Sequence, residues 1–146
     1  VVDNDRKNEK EYEDEQKAID DIEKELSVDI PRFLYRPEGL KFKDYNISKD
    51  FEYALLQYDY NDTIMTLYIN KYDKETKSTG ASLDGKEIET IKLPEGEASI
   101  QVKRIMAKGD KKASYVAYWN NSTEFYQIES QMEEKEFIKL IKNIKF

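Results

Sequence analysis

The stretch Gly80-Ala81-Ser82-Leu83-Asp84-Gly85-Lys86-Glu87 has the G-x-x-x-x-G-K spacing of a loop that cradles phosphates with backbone N–H groups. That chemistry needs a Ser or Thr after the lysine to hold magnesium, a buried strand before the loop and a helix behind it. Glu87 stands where the hydroxyl belongs and would set a carboxylate against the phosphates. The preceding Tyr72-Asp73-Lys74-Glu75-Thr76-Lys77 is too polar for a buried strand. Asp84-Gly85 reads instead as a hairpin turn, where glycine supplies positive φ. Calcium chemistry falls short in the same way. Asp3-Asn4-Asp5 and Asp59-Tyr60-Asn61-Asp62 gather oxygen ligands, but neither continues into the glycine and terminal glutamate of a calcium loop. The expectation is a frayed terminus and a turn, with no metal.

The chain contains no histidine and no cysteine. Zinc sites of the usual Cys/His type, a catalytic thiol, a disulfide framework and histidine-based proton transfer are thereby excluded. A serine nucleophile would lack its usual base, and no S-x-x-K occurs to supply a lysine instead. Two carboxylates facing each other across a cleft could still hydrolyse a glycoside, but 31 acidic residues make chance pairs unavoidable. The sequence therefore predicts a non-enzymatic domain without cofactors, with a carboxylate-based hydrolase as the alternative. Asn46, Asn61, Asn120 and Asn121 each open an N-x-S/T triplet and read as turn residues. Lys103, Arg104, Lys108, Lys111 and Lys112 read as a solvated hairpin end.

One surplus is positive. Eleven tyrosines accompany six phenylalanines and one tryptophan. Tyrosine suits half-buried positions where the ring packs and the hydroxyl stays wet. Tyr58 and Tyr60 share parity, as do Tyr68 and Tyr72, so each pair points to one face of a strand. Tyr58, Tyr60, Tyr68 and Tyr72, joined by Tyr115 and Trp119, are the candidate ligand-binding residues, for a protein, peptide, glycan or lipid. The plainer reading is sheet packing in a structural spacer.

These residues need elements to carry them. The chain is 146 residues long, enough for one domain with a substantial core. Its net charge of −7 is uneven: residues 1–27 hold 11 acids and 5 bases, and the remainder is nearly neutral. This acidic balance argues against nucleic acid and anionic lipid as partners, and no apolar run is long enough to span a membrane. Residues 1–27 are expected to form an acidic, partly helical arm, with Ile19, Ile22 and Leu26 on one thin stripe. Residues 28–146 are expected to form a single α+β domain. Pro31 and Pro37 bound an extended connector. Residues 40–48, 51–60, 63–72, 87–93, 98–106, 113–120 and 123–130 alternate or are rich in aromatic and β-branched residues, as strands are. A slip after Phe42 suggests a bulge. Ser130-Gln131-Met132-Glu133 has the form of a capping box. Behind it, Phe137, Leu140, Ile141 and Ile144 make a helical stripe. The expected architecture is α+β: a twisted antiparallel sheet of about six or seven strands, with helices from both chain ends packed on one face.

Three pieces carry a family resemblance: the extended Ile30-Pro31 with Leu34 through Leu40, the hairpin around Tyr118-Trp119 and Phe125-Tyr126-Gln127-Ile128, and the closing Glu-rich amphipathic helix. Together they resemble the domain of unknown function 4367 of Gram-positive bacteria, over roughly residues 28–146. Leu40 stands where that family usually has an aromatic. The resemblance implies an extracytoplasmic domain, often behind a membrane segment and sometimes attached to anti-sigma-factor-like proteins. It supplies no catalytic residues. The chain begins Val1-Val2 rather than with methionine. The expectation is an exported protein held at the membrane by a segment upstream of this chain, its domain sensing or binding a partner.

Overall fold

A computed structural model describes residues 2–71, 85–92, 99–106, 108–121 and 123–146, without the side chains of residues 2–9 and 11. Tyr72, most of the Gly80–Glu87 stretch and the side chains of Asp3-Asn4-Asp5 lie outside the described residues.

Helix α1 runs from Val2 to Leu26 and is followed by the two-residue strand β1, Arg32–Phe33. Seven strands then build one sheet: β2 Leu40–Ser48, β3 Tyr53–Tyr60, β4 Thr63–Lys71, β5 Lys86–Lys92, β6 Ser99–Ile105, β7 Ser114–Asn120 and β8 Glu124–Ser130. Helix α2, Glu134–Lys142, and the short strand β9, Ile144–Lys145, close the chain. The sheet order is β2-β3-β4-β8-β7-β6-β5, and every neighbouring pair is antiparallel. The fold is α+β, with the seven strands placed within a few residues of where alternation puts them.

Local chemistry explains the turns. Asn61 takes the left-handed conformation at φ 52°, and the Thr63 hydroxyl donates to the Tyr60 carbonyl at 3.0 Å, closing the β3–β4 hairpin. Asn tolerates this region better than most residues. The register slips between Phe42 and Asp44, the bulge that the broken alternation predicted. It restores Tyr45 and Ile47 to the side that faces the core.

The arm does not stand apart from the domain. Ala18, Ile19, Ile22 and Leu26 are buried in one cluster with Leu56, Tyr58 and Phe33. The residues that dock in this way lie in the carboxyl-terminal half of α1; Tyr12, Glu13 and Asp14 are exposed.

Two expectations at the other end are corrected. The capping box does not form. Ser130 is consumed as the last residue of β8, paired with Tyr115, and its Oγ accepts the Met132 N–H at 3.2 Å. Glu133, with extended φ and ψ, is the N-cap and its side chain makes no capping bond. The helix also stops short of Ile144, because the Asn143 side chain donates to the Lys139 carbonyl at 2.7 Å and its N–H to the Leu140 carbonyl. Ile144 is still buried, but through β9, which pairs with β1 and ties the connector to the chain's end.

Candidate functional site

The strand parity sorts the aromatic residues. In β3, Ala54, Leu56, Tyr58 and Tyr60 are buried, whereas Tyr53, Leu55, Gln57 and Asp59 are partly exposed on the opposite side. Tyr58 pairs with Met65 and Tyr68 with Leu55, so the two tyrosines point to opposite sides of the sheet. Of the five candidates among the described residues, Tyr58, Tyr60, Tyr115 and Trp119 are buried in the core cluster, and Tyr68 lies half-buried on the other side; Tyr72 lies outside the described residues. Among the described residues the expected cluster does not assemble, and the four core rings have little surface to offer a ligand.

The core tyrosines have a different task. Tyr58 donates to Glu15 Oε2 at 2.5 Å, and Tyr45 donates to Asp21 Oδ2 at 2.6 Å, both carboxylates on α1. Tyr60 donates to Glu133 Oε2 at 2.9 Å, and Tyr35 of the connector donates to Glu136. Each hydroxyl reaches from the sheet or connector to an acid on or beside a helix. Burial, with Glu15 adding its charge, pushes the Tyr58 hydroxyl well above its ordinary value. Burial and the Glu133 bond push Tyr60 up to about 12. A backbone donor, and after it the bond from Tyr60, hold Glu133 below the usual carboxylate range.

Beside α1 lies an open cavity of about 300 Å³ lined by Tyr12, Glu13, Glu15, Gln16, Ile19, Arg32 and Arg36. Both of its arginines are already paired. Arg36 Nη2 donates to both Glu15 oxygens at 2.7 and 2.9 Å. Arg32 donates to Glu23 at 3.2 Å and to the Ile30 carbonyl at 2.5 Å. The cavity is a seam where α1 meets the connector.

The opposite side of the sheet has another character. Hydrogen-bonded register aligns Asn46, Leu55, Tyr68, Gln127, Tyr118, Gln101 and Thr90 in one row across all seven strands. None of the seven is buried, and none is charged. Tyr68 is held between Tyr53, with ring centroids 5.7 Å apart, and Phe125 at 6.4 Å. Its hydroxyl accepts from Asn70 Nδ2 at 3.0 Å. Lys103 stands 5.4 Å from the Tyr118 ring centroid. Sequence reasoning missed Tyr118, Gln127 and Gln101 because the step that joins them to Tyr68, the pairing of β8 with β4, links strands distant in the chain. The Tyr68–Leu55 part was accessible from the two-residue turn at Asn61-Asp62.

Among the described residues, no group of three or more acidic side chains is gathered as a metal site requires, and no helix is long and apolar enough to cross a membrane. No curated protein and no solved structure matches the chain. A family model described as Domain of unknown function (DUF4367) matches residues 30–144, from the connector through β9. The chain belongs to that family.

Proposed function

We propose that this chain is a non-catalytic binding domain. Both helices lie against one face of the sheet, and the working surface is the other. The observation that carries the reading is the uncharged row from Asn46 to Thr90, seven side chains on seven strands with none buried. In a chain with 38% charged residues, an uncharged band of this length requires another explanation than solubility. The non-catalytic part draws support from the carboxylates. Glu15, Asp21, Glu133 and Glu136 are engaged by tyrosine hydroxyls, which suits fastening better than proton transfer. An extracytoplasmic, membrane-tethered setting belongs to the same proposal, as does a link to anti-sigma-type regulation; both are what the family resemblance implies.

The test is an amide-resolved NMR titration of the isotope-labelled chain with a peptide mixture, oligosaccharides and lipid vesicles, beside a hydrolase screen. The expected result is saturable shifts at Tyr68, Gln127 and Tyr118 without turnover. Turnover lost on substituting one carboxylate, or shifts centred on Arg32 and Arg36, would overturn the reading.

A further inference from the structure

The chemistry of the row narrows the ligand. Counted across the sheet it runs amide, leucine, tyrosine, amide, tyrosine, amide, hydroxyl: Asn46, Leu55, Tyr68, Gln127, Tyr118, Gln101 and Thr90. Tyr68 on β4 and Tyr118 on β7 are separated by β8 alone, so they stand two inter-strand steps, about 10 Å, apart. The whole row is about 29 Å long, six such steps. Between the two rings sits Gln127, an amide with both donors and an acceptor. Gln101 follows on the far side of Tyr118, with its Oε1 accepting from the Thr90 hydroxyl at 3.1 Å.

Each macromolecular class makes a different demand on such a band. Nucleic acid needs cations along its phosphates; the row itself has none, and Lys103, which stands over the Tyr118 ring, is a single charge. A lipid surface needs a broad apolar patch or a basic one, and here the cluster of Leu55, Tyr53 and Tyr68 gives way along the row to the amides of Gln127 and Gln101. An extended peptide adds to a sheet edge through backbone hydrogen bonds, whereas the row crosses the sheet at right angles to its strands, away from free backbone groups. A neutral polysaccharide meets all the conditions. Its sugar rings offer C–H faces that pack on aromatic rings, its hydroxyls both donate and accept, and it carries no charge to be matched. Rings two strands apart suit alternate sugars of an extended β-linked chain, with the intervening sugar over Gln127.

We infer that the row from Asn46 to Thr90 is a binding track for an uncharged, β-linked polysaccharide, with Tyr68 and Tyr118 as stacking platforms and Gln127 and Gln101 as hydrogen-bonding partners. This rests on the binding-face reading above and names its ligand class. Tyr68 is ordered before any ligand arrives, fixed by Tyr53, Phe125 and Asn70, so little side-chain freedom is lost on binding. Chain direction across the strands follows from the row itself.

The probes are chitohexaose and cellohexaose, both β-1,4-linked and uncharged, which differ in the acetamido group that Gln127 and Gln101 would read. Each is titrated into the full chain by calorimetry and NMR. Saturable binding of at least one, with shifts confined to the row, is expected. Tyr68→Ala and Tyr118→Ala should each weaken it about tenfold or more, while Tyr68→Phe, which keeps the ring if the alanine variant is unstable, should bind nearly as well. If neither sugar produces saturable shifts at the row, the polysaccharide inference is overturned. Shifts at the same row with a peptide or with vesicles would then leave the binding face standing with another ligand; silence from every probe would remove the face as well. Sugar binding unaffected by both alanine variants would likewise overturn the track.

Discussion

Tyr58 and Glu15, 43 residues apart in the chain, meet inside the core, where the hydroxyl donates to Oε2 at 2.5 Å. Glu15 is only 4% exposed. A carboxylate so placed is costly unless every lone pair finds a donor, and Arg36 supplies the remainder through Nη2. The bond pins the middle of α1 to β3 and to the connector at once. Glu15→Ala would leave a buried hydroxyl without an acceptor and a guanidinium that still reaches water. The expected loss is about 1–3 kcal/mol in urea denaturation. Tyr58→Phe should cost a similar amount. The double variant should cost clearly less than the two together, because both singles break the same bond; full additivity would show that the two side chains act independently.

The apolar side of the same helix gives a second expectation. Ile22 is fully buried among sheet residues, while Lys17, on the same helix, is exposed. Ile22→Ala should destabilise by about 2–5 kcal/mol, the transfer and cavity cost of a core aliphatic. Lys17→Ala should stay within about 0.5 kcal/mol of the parent. A melting temperature unmoved by Ile22→Ala would mean that α1 is an appendage after all.

Alternation was enough to find the sheet, because half-buried antiparallel strands write their inner and outer sides into every second residue. The stripe Phe137, Leu140 and Ile141 was legible for the same reason at helical period. The candidate site was much less so. Counting tyrosines on strands gave the right residues the wrong role, since Tyr58 and Tyr60 face inward to acids that lie far along the chain. The parity of one strand says nothing about its neighbour until the register is known. With Asn61 and Asp62 as the two-residue turn, an even-numbered residue of β3 pairs with an odd-numbered residue of β4. Tyr58 and Tyr68 must then part company. Gln127, Tyr118 and Gln101 lie on the consecutive strands β8, β7 and β6, but no short turn links β8 to β4, and only the folded sheet aligns them with Tyr68. The capping box at Ser130 misled because a local pattern lost to strand pairing, which claimed the serine first.

Glycine positions separate strain from crowding. Gly39, between the connector and β2, has φ +92°, and a Cβ there would stand 2.5 Å from Asn61 Oδ1 in the β3–β4 turn. Gly109 has nearly the same φ, +95°, with nothing within 4 Å. Gly109→Ala should therefore cost only the backbone strain, about 1–3 kcal/mol. Gly39→Ala should cost the same strain plus a small increment in the same thermal melt, because the end of the Asn61 side chain must also turn aside. Equal losses would show that the turn yields freely and that the close approach of the two loops is unimportant.

The tyrosine–acid fastenings predict how the fold fails in alkali. Tyr60 is buried beside Glu133 and its hydroxyl is pushed up from 10.0 to about 12; Tyr58 and Tyr126 are displaced in the same direction by burial. Below pH 10 these hydroxyls are protonated in both states, and their full contribution to stability is present. Between 10 and about 12 the unfolded chain releases the Tyr60 proton while the folded chain keeps it. The folded state then binds more protons, so stability falls as pH rises through this window. The urea midpoint should decline steadily above about pH 10. Tyrosinate absorbance of the folded protein should fall short of that expected for eleven tyrosines until unfolding releases the rest. Lysine pairs weaken in the same range, so Tyr60→Phe is the control: it should flatten part of the slope while leaving the lysine contribution intact. Native protein whose tyrosines all ionise together near the ordinary value, with a Tyr60→Phe slope unchanged, would show that the hydroxyl of Tyr60 is not held against Glu133.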